Sequence, residues 1–393
     1  MTDQTLAADY SSLVAGQRAY FKAGHTRPVE WRIEQLTAIK RMIDESREAM
    51  YEALWHDLRR NRTDADLMDV DYNIREADYA LKHLHSWMRP ERVHTPLLME
   101  PGHVRVRRDP FGVTLIIGAW NEPYMLTLAP LVAAIAAGNT AVLKPSEIGE
   151  ATSQQTAEMI PKYLDPEAVS VVLGGIPETT ALLAQKWDLI FFTGSPPVGK
   201  IIHKAAAQNL TPAVLELGGK NPTIVHSSAN IRTAARRIAF GRFVNSGHIC
   251  TAPDHVLVWP EVKDQLVAEL KQAIRDFYVE EPKQSPDYGR VINRKNFDRL
   301  AGLIGSGTVA AGGRPIRTSC TSRQPCSSTS RWTRRSCRKS CSAPSCRCWR
   351  STRWRRSSTG STSGRSRWAC TSSPRTRMSP SGSWRRPTPA MPA

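Results

Sequence analysis

Short apolar runs that alternate with helical patterns occupy residues 112–225, and they constrain the fold more than any other feature. Each run is five to nine residues long and rich in Val, Ile, Leu or Phe. Apolar strands separated by helices are typical of a parallel β-sheet that is covered on both faces. The sequence therefore predicts an α/β fold with its ligand site at the carboxyl ends of the strands. The runs are GVTLIIGAW (112–120), NTAVLKPSE (139–147), VSVVLGG (169–175), DLIFFTGS (188–195), AVLELGG (213–219) and NPTIV (221–225), with helical patterns at 151–164 and 198–208.

The segment before this pattern has a different character. Residues 10–90 show helical periodicity with charges of both signs, which indicates helices with one solvated face. The GHVRVRRDP segment (102–110) alternates as a strand or hairpin arm would. The apolar run 125–143 is long enough to span a bilayer, but Pro130 and Gly138 divide it. We therefore expect a buried helix and strand there, and no membrane span.

The composition changes abruptly near residue 313. Residues 314–393 contain 19 of the 54 Lys and Arg residues and no Asp or Glu, whereas residues 1–313 are nearly neutral. The same 80 residues hold seven of the eight cysteines but no Leu, Val, Phe or Tyr. Such a segment buries too little apolar surface to offset its ordering entropy, so we expect it to be a disordered tail with little regular structure and few contacts with the rest.

Two features of residues 1–313 bear on the compartment. The first twelve residues lack a basic segment followed by an apolar run, so they do not look like a signal peptide. Cys250 is the single cysteine of this part of the chain. Sparse cysteine is typical of a reducing cytosol, and we expect a cytoplasmic protein.

Gly194, Ser195 and Gly199 lie at a turn from an apolar strand to a helix, in FTGSPPVGK. Small residues there let backbone N–H groups approach a pyrophosphate. Glycine at such a turn also serves packing alone, and both interpretations stay open. Pro196 and Pro197 fit the first helical turn, where a missing N–H costs little.

Two charged residues occupy strand positions. Lys144 follows TAVL and is either a solvated lysine or a donor to a ribose or phosphate. Glu216 lies inside the apolar strand AVLELGG. Burial there would raise its pKa towards that of a useful general base, and a buried structural salt bridge is the alternative.

Cys250 lies in FVNSGHICTAPD. A free cysteine is often an inert core residue, but the glycine and polar residues around it favour an exposed turn at an active site. His248 is a possible activating neighbour, although no His/Asn constellation is visible and a neutral loop residue is the simpler interpretation.

Four ordered motifs together resemble the aldehyde dehydrogenase superfamily: AWNEP…LAPLVAAIAAGNTAVLKPSE, FFTGSPPVGK, LELGGKNP and GRFVNSGHICTAPDHVLV. The similarity covers residues 10–313. The segment GHICTAPDHVLV is most similar in sequence to the class 3 branch, which includes fatty and aromatic aldehyde dehydrogenases. The resemblance implies a Rossmann-type NAD(P)-binding domain in residues 1–217, with a hairpin arm for oligomerisation at about 100–110, and part of an α/β catalytic domain in 218–313.

The resemblance also implies a role for each matching residue. Cys250 would be the nucleophile that forms a thiohemiacetal and then a thioester. Asn121 would stabilise the oxyanion together with the N–H of Cys250, and Glu216 would activate the hydrolytic water. NAD or NADP would be the cofactor, an aldehyde the substrate and a second copy of the chain the partner in a homodimer. The residues implied along the adenosine half of the cofactor are Trp120, Lys144 and Glu147, and those at the pyrophosphate are Gly194, Ser195 and Gly199.

The chain departs from the family pattern at several positions. Ala119 stands where the family usually has proline, and Pro196-Pro197 replaces a pair that usually contains threonine. Neither departure removes a functional side chain. The residues after 313 depart completely, because the expected tyrosine-containing segment and the Glu-Glu-Ile/Leu-Phe-Gly-Pro motif are absent.

Codon arithmetic offers a reason for this loss. Moving the frame one base upstream allows Tyr-Ile-Ala-Pro-Thr-Leu from residues 320–326 and Gln-Glu-Glu-Leu-Phe-Gly-Pro-Val-Leu from 337–346. The same shift over 368–374 allows Leu-Gly-Leu-Tyr-Val-Phe-Thr. We infer a one-base frameshift near residue 313, and we expect the chain to be impaired because the glutamate for the nicotinamide ribose and the C-terminal oligomerisation strand are lost.

Two other interpretations of the tail are open. Its cysteines could form a metal site, but C-x₃-C-x₄-C-x-C without a local histidine is a poor zinc pattern, and no metal is expected. The positive charges could also bind nucleic acid nonspecifically, as the tail of an inactive frameshift product. We expect no specific nucleic-acid partner. The four cysteines of the pattern are Cys337, Cys341, Cys346 and Cys348.

Overall fold

The computed structural model describes residues 9–304, residues 306–312 and the backbone of residues 348–350. The first part is helical, as the periodicity of residues 10–90 predicts. Its helices are α1 (Ser11–Ala23), α2 (Val29–Leu58), α3 (Arg62–Ala65) and α4 (Asp71–Met88), with a π-helical turn between the last two.

A two-stranded hairpin follows. Strand β1 (Glu91–Val93) pairs antiparallel with β2 (Val104–Val106), and all six residues are exposed. The predicted arm at 102–110 is therefore a hairpin, but its strand is only three residues long. Pairing with β1 satisfies one edge of β2.

The central feature is a parallel sheet of five strands in the order β5-β4-β3-β6-β7. Helices alternate with these strands, so each connection is a crossover, as a parallel sheet requires. Strands β3 and β4 are buried at every position. The elements in chain order are β3 (Val113–Ile117), α5 (Met125–Ala137), β4 (Thr140–Lys144), α6 (Glu150–Tyr163), β5 (Val169–Val171), α7 (Ile176–Leu183), β6 (Leu189–Gly194), α8 (Pro196–Gln208) and β7 (Ala213–Leu217).

A second parallel sheet begins directly afterwards. It contains β8 (Asn221–Val225) and β9 (Pro253–Val258), with helix α9 (Ile231–Phe243) between them. Helix α10 (Lys263–Tyr278) packs beside α9, and α11 (Arg294–Ala301) is the last described helix. The predicted boundary between domains at residue 217 falls between the two sheets and stays a prediction.

Three residues of the tail also join this sheet. Residues 348–350 form β10 (Cys348–Arg350), which pairs parallel with β9 from Cys348 opposite Val256 to Arg350 opposite Val258. Little regular structure was expected here, and this short strand is the exception. The free edge of β9 presents unpaired N–H and C=O groups that any extended segment can satisfy. The predictions of disorder, metal binding and nucleic-acid binding lie otherwise outside the described residues.

The apolar run 125–143 is α5 followed by β4, as its proline and glycine predict. Gly138 ends the helix with φ 87°, a left-handed conformation that favours glycine. Leu128, Leu131 and Ile135 pack into the main core with residues of α2 and α6. Over the described residues, the helices include none that is long and apolar enough to cross a membrane. The α/β fold with a parallel sheet is confirmed.

Candidate active site

The implied site residues gather at the carboxyl edge of the five-stranded sheet and at one loop of the second sheet. Asn121 follows β3, Lys144 ends β4 and Ser195 follows β6. Cys250 lies between α9 and β9. The register of a parallel sheet brings the ends of neighbouring strands to the same edge, and the N–H of Gly118 donates to the carbonyl of Lys144 at 3.1 Å.

The loop that carries Cys250 has an unusual backbone. Asn245, Ser246 and Gly247 all have positive φ, at 51°, 51° and 75°. Two non-glycine residues in the left-handed region store strain, which persists only where the surroundings fix the conformation. Asn245 is fixed by side-chain hydrogen bonds to the carbonyl of Asn121 at 2.8 Å and of His248 at 3.4 Å. The strained turn thus presents Cys250 beside Asn121.

Cys250 is a free, half-buried thiol. Burial raises its pKa, and the negative charges of Glu122 and Glu216 raise it further. Hydrogen bonds from the N–H groups of Cys250 and Thr251 oppose this and lower the pKa. Cys250 is therefore only partly buried, with backbone donors at its sulfur, and its role as nucleophile stays a prediction.

Asn121 is joined to the same loop. Its Nδ2 donates to the carbonyl of His248 at 2.8 Å and to Oε2 of Glu122 at 3.2 Å. The nitrogen implied as an oxyanion donor therefore already has two acceptors. The role of Asn121 stays a prediction, and it requires the amide to exchange one of these acceptors for substrate oxygen.

Glu216 differs from what its apolar context predicts. Both interpretations of this residue assumed burial, but Glu216 is exposed on β7. The reason is that β7 is the edge strand of its sheet, with alternate residues open to solvent. The burial that both interpretations assumed is therefore wrong, yet Glu216 lies close enough to Cys250 to raise the pKa of the thiol.

His248 is a buried, neutral residue. Burial lowers its pKa to about 3, with help from the positive charges of Arg60, Arg242 and Arg299. Its ring meets that of Trp120 edge-on at a centroid distance of 5.1 Å. This lowered pKa favours the interpretation of His248 as a neutral loop residue over an imidazolium that activates Cys250.

Lys144 is also not the solvated lysine that its position suggested. Its side chain is 1% exposed, and Nζ donates to the carbonyl of Pro145 at 2.8 Å. Burial lowers the pKa of Lys144, and the negative charge of Glu147 opposes this shift. The Glu147 carboxylate lies 3.6 Å from Nζ and is about half exposed. The strand end therefore offers one buried cation and one accessible carboxylate side by side.

The glycine turn is closely packed, while its pyrophosphate contact stays a prediction. A Cβ at Gly199 would come within 2.8 Å of Leu217 Cδ2, so the packing of α8 on β7 favours a glycine there. Gly194 is similarly closed by the ring of Phe192. Ser195 is exposed at the N-cap of α8, as a phosphate contact would need. Pro196 and Pro197 occupy the first turn as predicted, but they remove two of the N–H donors that a pyrophosphate could use.

A buried ion pair that the sequence did not predict contacts the loops that carry the site residues. Arg60 and Asp69 pair with side chains 1% and 0% exposed. Arg60 also donates to the carbonyl of Asn121 and, at 3.2 Å, to Oδ1 of Asn245. Asp69 accepts the N–H groups of Tyr124 and Met125, each at 2.9 Å. In sequence, both residues stand in polar stretches that look like a solvated surface, so no local signal marks them.

Glu122 is the second residue that sequence reasoning missed. It is 3% exposed, and burial raises its pKa to about 7 despite the opposing charge of Arg60. A carboxyl group directly after Asn121 in an otherwise apolar stretch was the available signal. For metals, the described residues contain no group of His, Cys, Asp and Glu side chains that could hold an ion.

Known proteins are similar to this chain in sequence and in fold. Residues 2–321 match the model of the aldehyde dehydrogenase family. The chain is 44% identical over 306 residues to the mouse dimeric NADP-preferring aldehyde dehydrogenase, covering 78% of this chain and 68% of that protein. Against human aldehyde dehydrogenase family 3 member B1 it is 46% identical over 296 residues, 75% of this chain and 63% of the human protein.

The structural comparison agrees. The substrate-bound structure of AldH from Staphylococcus aureus superposes with a TM-score of 0.82 at 34% identity, covering 88% of this chain and 76% of that one. The chain thus spans about two thirds of the length of its curated relatives, between 62% and 68% for the mouse and human proteins above and the mouse family 3 member B2. With a family model that matches most of its residues, the chain belongs to the aldehyde dehydrogenase family.

Proposed function

We propose that this site oxidises an aldehyde to a carboxylic acid with NAD or NADP, through a covalent intermediate on Cys250. The observation that carries the proposal is the convergence on one thiol. Cys250 has backbone N–H donors at its sulfur, Asn121 bound to its loop, and Glu216 within electrostatic range. A nucleophile, an oxyanion donor and an accessible base are the groups that acyl chemistry requires.

The thiolate of Cys250 attacks the aldehyde carbon to form a thiohemiacetal. Its oxyanion accepts hydrogen bonds from Asn121 Nδ2 and the N–H of Cys250, which stabilise the developing charge. A bound nicotinamide cofactor supplies the hydride acceptor. After the hydride leaves, a thioester remains on Cys250. Glu216 then takes a proton from the water that attacks the thioester carbonyl, and the carboxylic acid departs as the thiolate re-forms. The exposure of Glu216 suits this step, because the water must reach it from solvent.

The residues at the sheet edge fit such a cofactor. Glu147 offers an accessible acceptor that suits ribose hydroxyls, and the buried Nζ of Lys144 lies 3.6 Å from it. Ser195 and the N-terminus of α8 suit an anion, with fewer N–H donors than usual because of the two prolines. Glu147 alone does not decide between NAD and NADP. The mouse relative is NADP-preferring by name, and two structures of similar fold were determined with NAD+.

We also propose that the coding frame shifts near residue 313. The family match ends at residue 321, and the curated relatives extend beyond the part that this chain matches. Together with the three codon-shifted stretches, this supports a longer native product whose last third is out of frame here. We further propose that the native product is a cytoplasmic homodimer, and the dimeric mouse relative supports the second of these points.

Two measurements test these proposals. The first is the DNA sequence around codon 313, which should contain a one-base insertion or deletion. A DNA sequence without such a change would refute the frameshift. NADH or NADPH formation at 340 nm with a medium-chain aldehyde should be weak for the 393-residue chain and robust after a one-base correction. Cys250→Ala in the corrected chain is the matched control and should abolish turnover. Robust turnover by the 393-residue chain would refute impairment, and turnover that survives Cys250→Ala would refute the nucleophile.

A further inference from the structure

Glu122 is a buried carboxyl group that the proposed reaction does not use. It follows Asn121 directly and is 3% exposed. Its Oε2 accepts a hydrogen bond from Asn121 Nδ2 at 3.2 Å, the same nitrogen that is implied as the oxyanion donor. A carboxylate is costly to bury unless it is paired or has a specific task. Its position therefore needs an explanation beyond packing.

The charged groups that face Glu122 come from several elements. Arg60, between α2 and α3, attracts it, but this guanidinium is already engaged by Asp69. Tyr72 on α4 has its pKa raised in part by Glu122. Cys250 lies on the loop before β9. Among its charged neighbours, Glu122 raises the pKa of the thiol most. Arg60 is thus shared between two carboxylates, and neutralisation of Glu122 is incomplete.

We propose that Glu122 is a positioning residue of the active site: it holds the Asn121 amide in place and, through its own charge, sets the pH range over which Cys250 becomes a nucleophile. This inference deepens the proposed function and rests on it, since it assumes that Cys250 is the reactive thiol. When Glu122 is protonated, the thiolate forms without a like charge nearby. When Glu122 is ionised, the two negative charges oppose one another and thiolate formation moves to higher pH.

The near-neutral pKa of Glu122, about 7, puts this change of charge within the working range of an enzyme. Because Glu122 and Cys250 interact, their protons leave in two coupled steps. The ionisation profile of Cys250 should therefore depart from that of an isolated thiol near pH 7, where Glu122 loses its proton. A purely structural carboxyl group would leave this profile unchanged.

The test is the pH dependence of Cys250 alkylation by iodoacetamide in the full 393-residue chain. Alkylation is quantified by mass spectrometry on the peptide that contains Cys250, since seven further cysteines lie after residue 313. Glu122→Gln keeps an accepting oxygen for Asn121 and removes the charge. Glu122→Leu removes both without leaving a buried amide. Glu158→Gln, at an exposed position of α6, is the matched control.

Both Glu122 variants should move the alkylation midpoint to lower pH by about one pH unit, a typical effect of removing one nearby like charge. At pH 7.5, where Glu122 with its pKa of about 7 is about three quarters ionised, the thiolate fraction then rises about threefold, and the lower nucleophilicity of a more acidic thiol reduces the gain in rate to about twofold. Glu158→Gln should match the unmodified chain. Equal midpoints in all four chains, or a shift to higher pH in the Glu122 variants, would overturn the proposal.

Alkylation needs neither cofactor nor turnover, so the two proposals fail separately. A shifted profile in a corrected chain that forms no NADH or NADPH contradicts the proposed function and leaves the role of Glu122 intact. If the corrected chain is active but its Glu122→Gln variant keeps the original alkylation profile, the role of Glu122 is contradicted and the proposed function stands.

Discussion

The side-chain amide of Asn121 donates to the backbone carbonyl of His248 at 2.8 Å, across 127 residues of sequence. This bond connects the end of β3 in the first sheet with the loop before β9 in the second. Asn245 returns a hydrogen bond to the carbonyl of Asn121 at 2.8 Å. These two hydrogen bonds hold Asn121, the implied oxyanion donor, against the loop that carries Cys250, the implied nucleophile.

Replacing Asn121 by alanine should therefore impair both positioning and transition-state stabilisation. In the frame-corrected enzyme, we expect Asn121→Ala to lower kcat by about 10²- to 10³-fold, the usual effect of losing one oxyanion donor. Steady-state kinetics with a medium-chain aldehyde measures it. Asn209→Ala, at an exposed position after α8, is the control and should behave as the parent. An unchanged kcat for Asn121→Ala would contradict the oxyanion role.

Glu216→Gln separates the two halves of the reaction. If Glu216 activates only the hydrolytic water, formation of the thioester and transfer of hydride should survive its loss. The corrected enzyme should then show a stoichiometric burst of NADH or NADPH followed by a steady state slowed by about 10²- to 10⁴-fold. Stopped-flow absorbance at 340 nm resolves the two phases. The idea fails if the burst disappears with the steady state, or if both persist at the parental rate.

His248 predicts a specific loss of stability in acid. Its pKa is about 3 in the folded chain and near its ordinary value of 6.5 when unfolded. Between these values the unfolded state binds more protons, so the free energy of unfolding rises with pH and falls as the pH drops below about 6.5. From pH 7 to pH 5, His248 alone should cost about 2 kcal/mol of stability.

Urea unfolding at pH 7 and pH 5 checks this prediction. His248→Gln should lose less stability on acidification than the unsubstituted chain, by about the same 2 kcal/mol. His85→Gln, at an exposed position of α4, should track the unsubstituted chain. If all three chains lose equal stability between the two pH values, His248 does not titrate on unfolding.

The sequence predicted the parallel sheet because its period and its turn residues are local signals. The runs around Val113, Thr140 and Leu189 lie in strands, and Gly138 and Pro196 mark a helix end and a helix start. The burial of single charged residues was harder to predict. Glu216 was expected to be buried and is exposed, because strand order in the sheet decides which strand is at the edge. Lys144 is the opposite case. A solvated side chain was one interpretation of it, but it is buried on β4, which has a neighbouring strand on each side.

The roles of Arg60 and Asp69 had no sequence signal, because their partners at the site lie on elements distant in the chain. Arg60 meets Asn245 across 185 residues and Asn121 across 61. A polar residue in a polar stretch looks the same whether it faces water or a buried partner. Only the folded structure, in which Arg60 reaches the loops at Asn121 and Asn245, shows which of the two applies.

The Arg60–Asp69 pair gives the last prediction. Removing one member of a buried ion pair leaves the other charge without its partner in a medium of low polarity, which costs about 3–5 kcal/mol. Arg60→Met should lower the free energy of unfolding by this amount, measured by urea denaturation at pH 7.5. It should also loosen the loop at Asn245 that Arg60 holds.

Arg62→Met is the matched control, since Arg62 pairs with Glu48 at the surface, where both side chains are about two thirds exposed. Exposed pairs contribute about 0–1 kcal/mol, so this variant should unfold almost as the parent does. Arg60→Met/Asp69→Leu removes both charges and should recover part of the loss. If Arg60→Met and Arg62→Met destabilise the chain equally, the buried pair does not support the site, and the strained turn at Asn245 must be held by its other hydrogen bonds, to Asn121, His248 and Asp64.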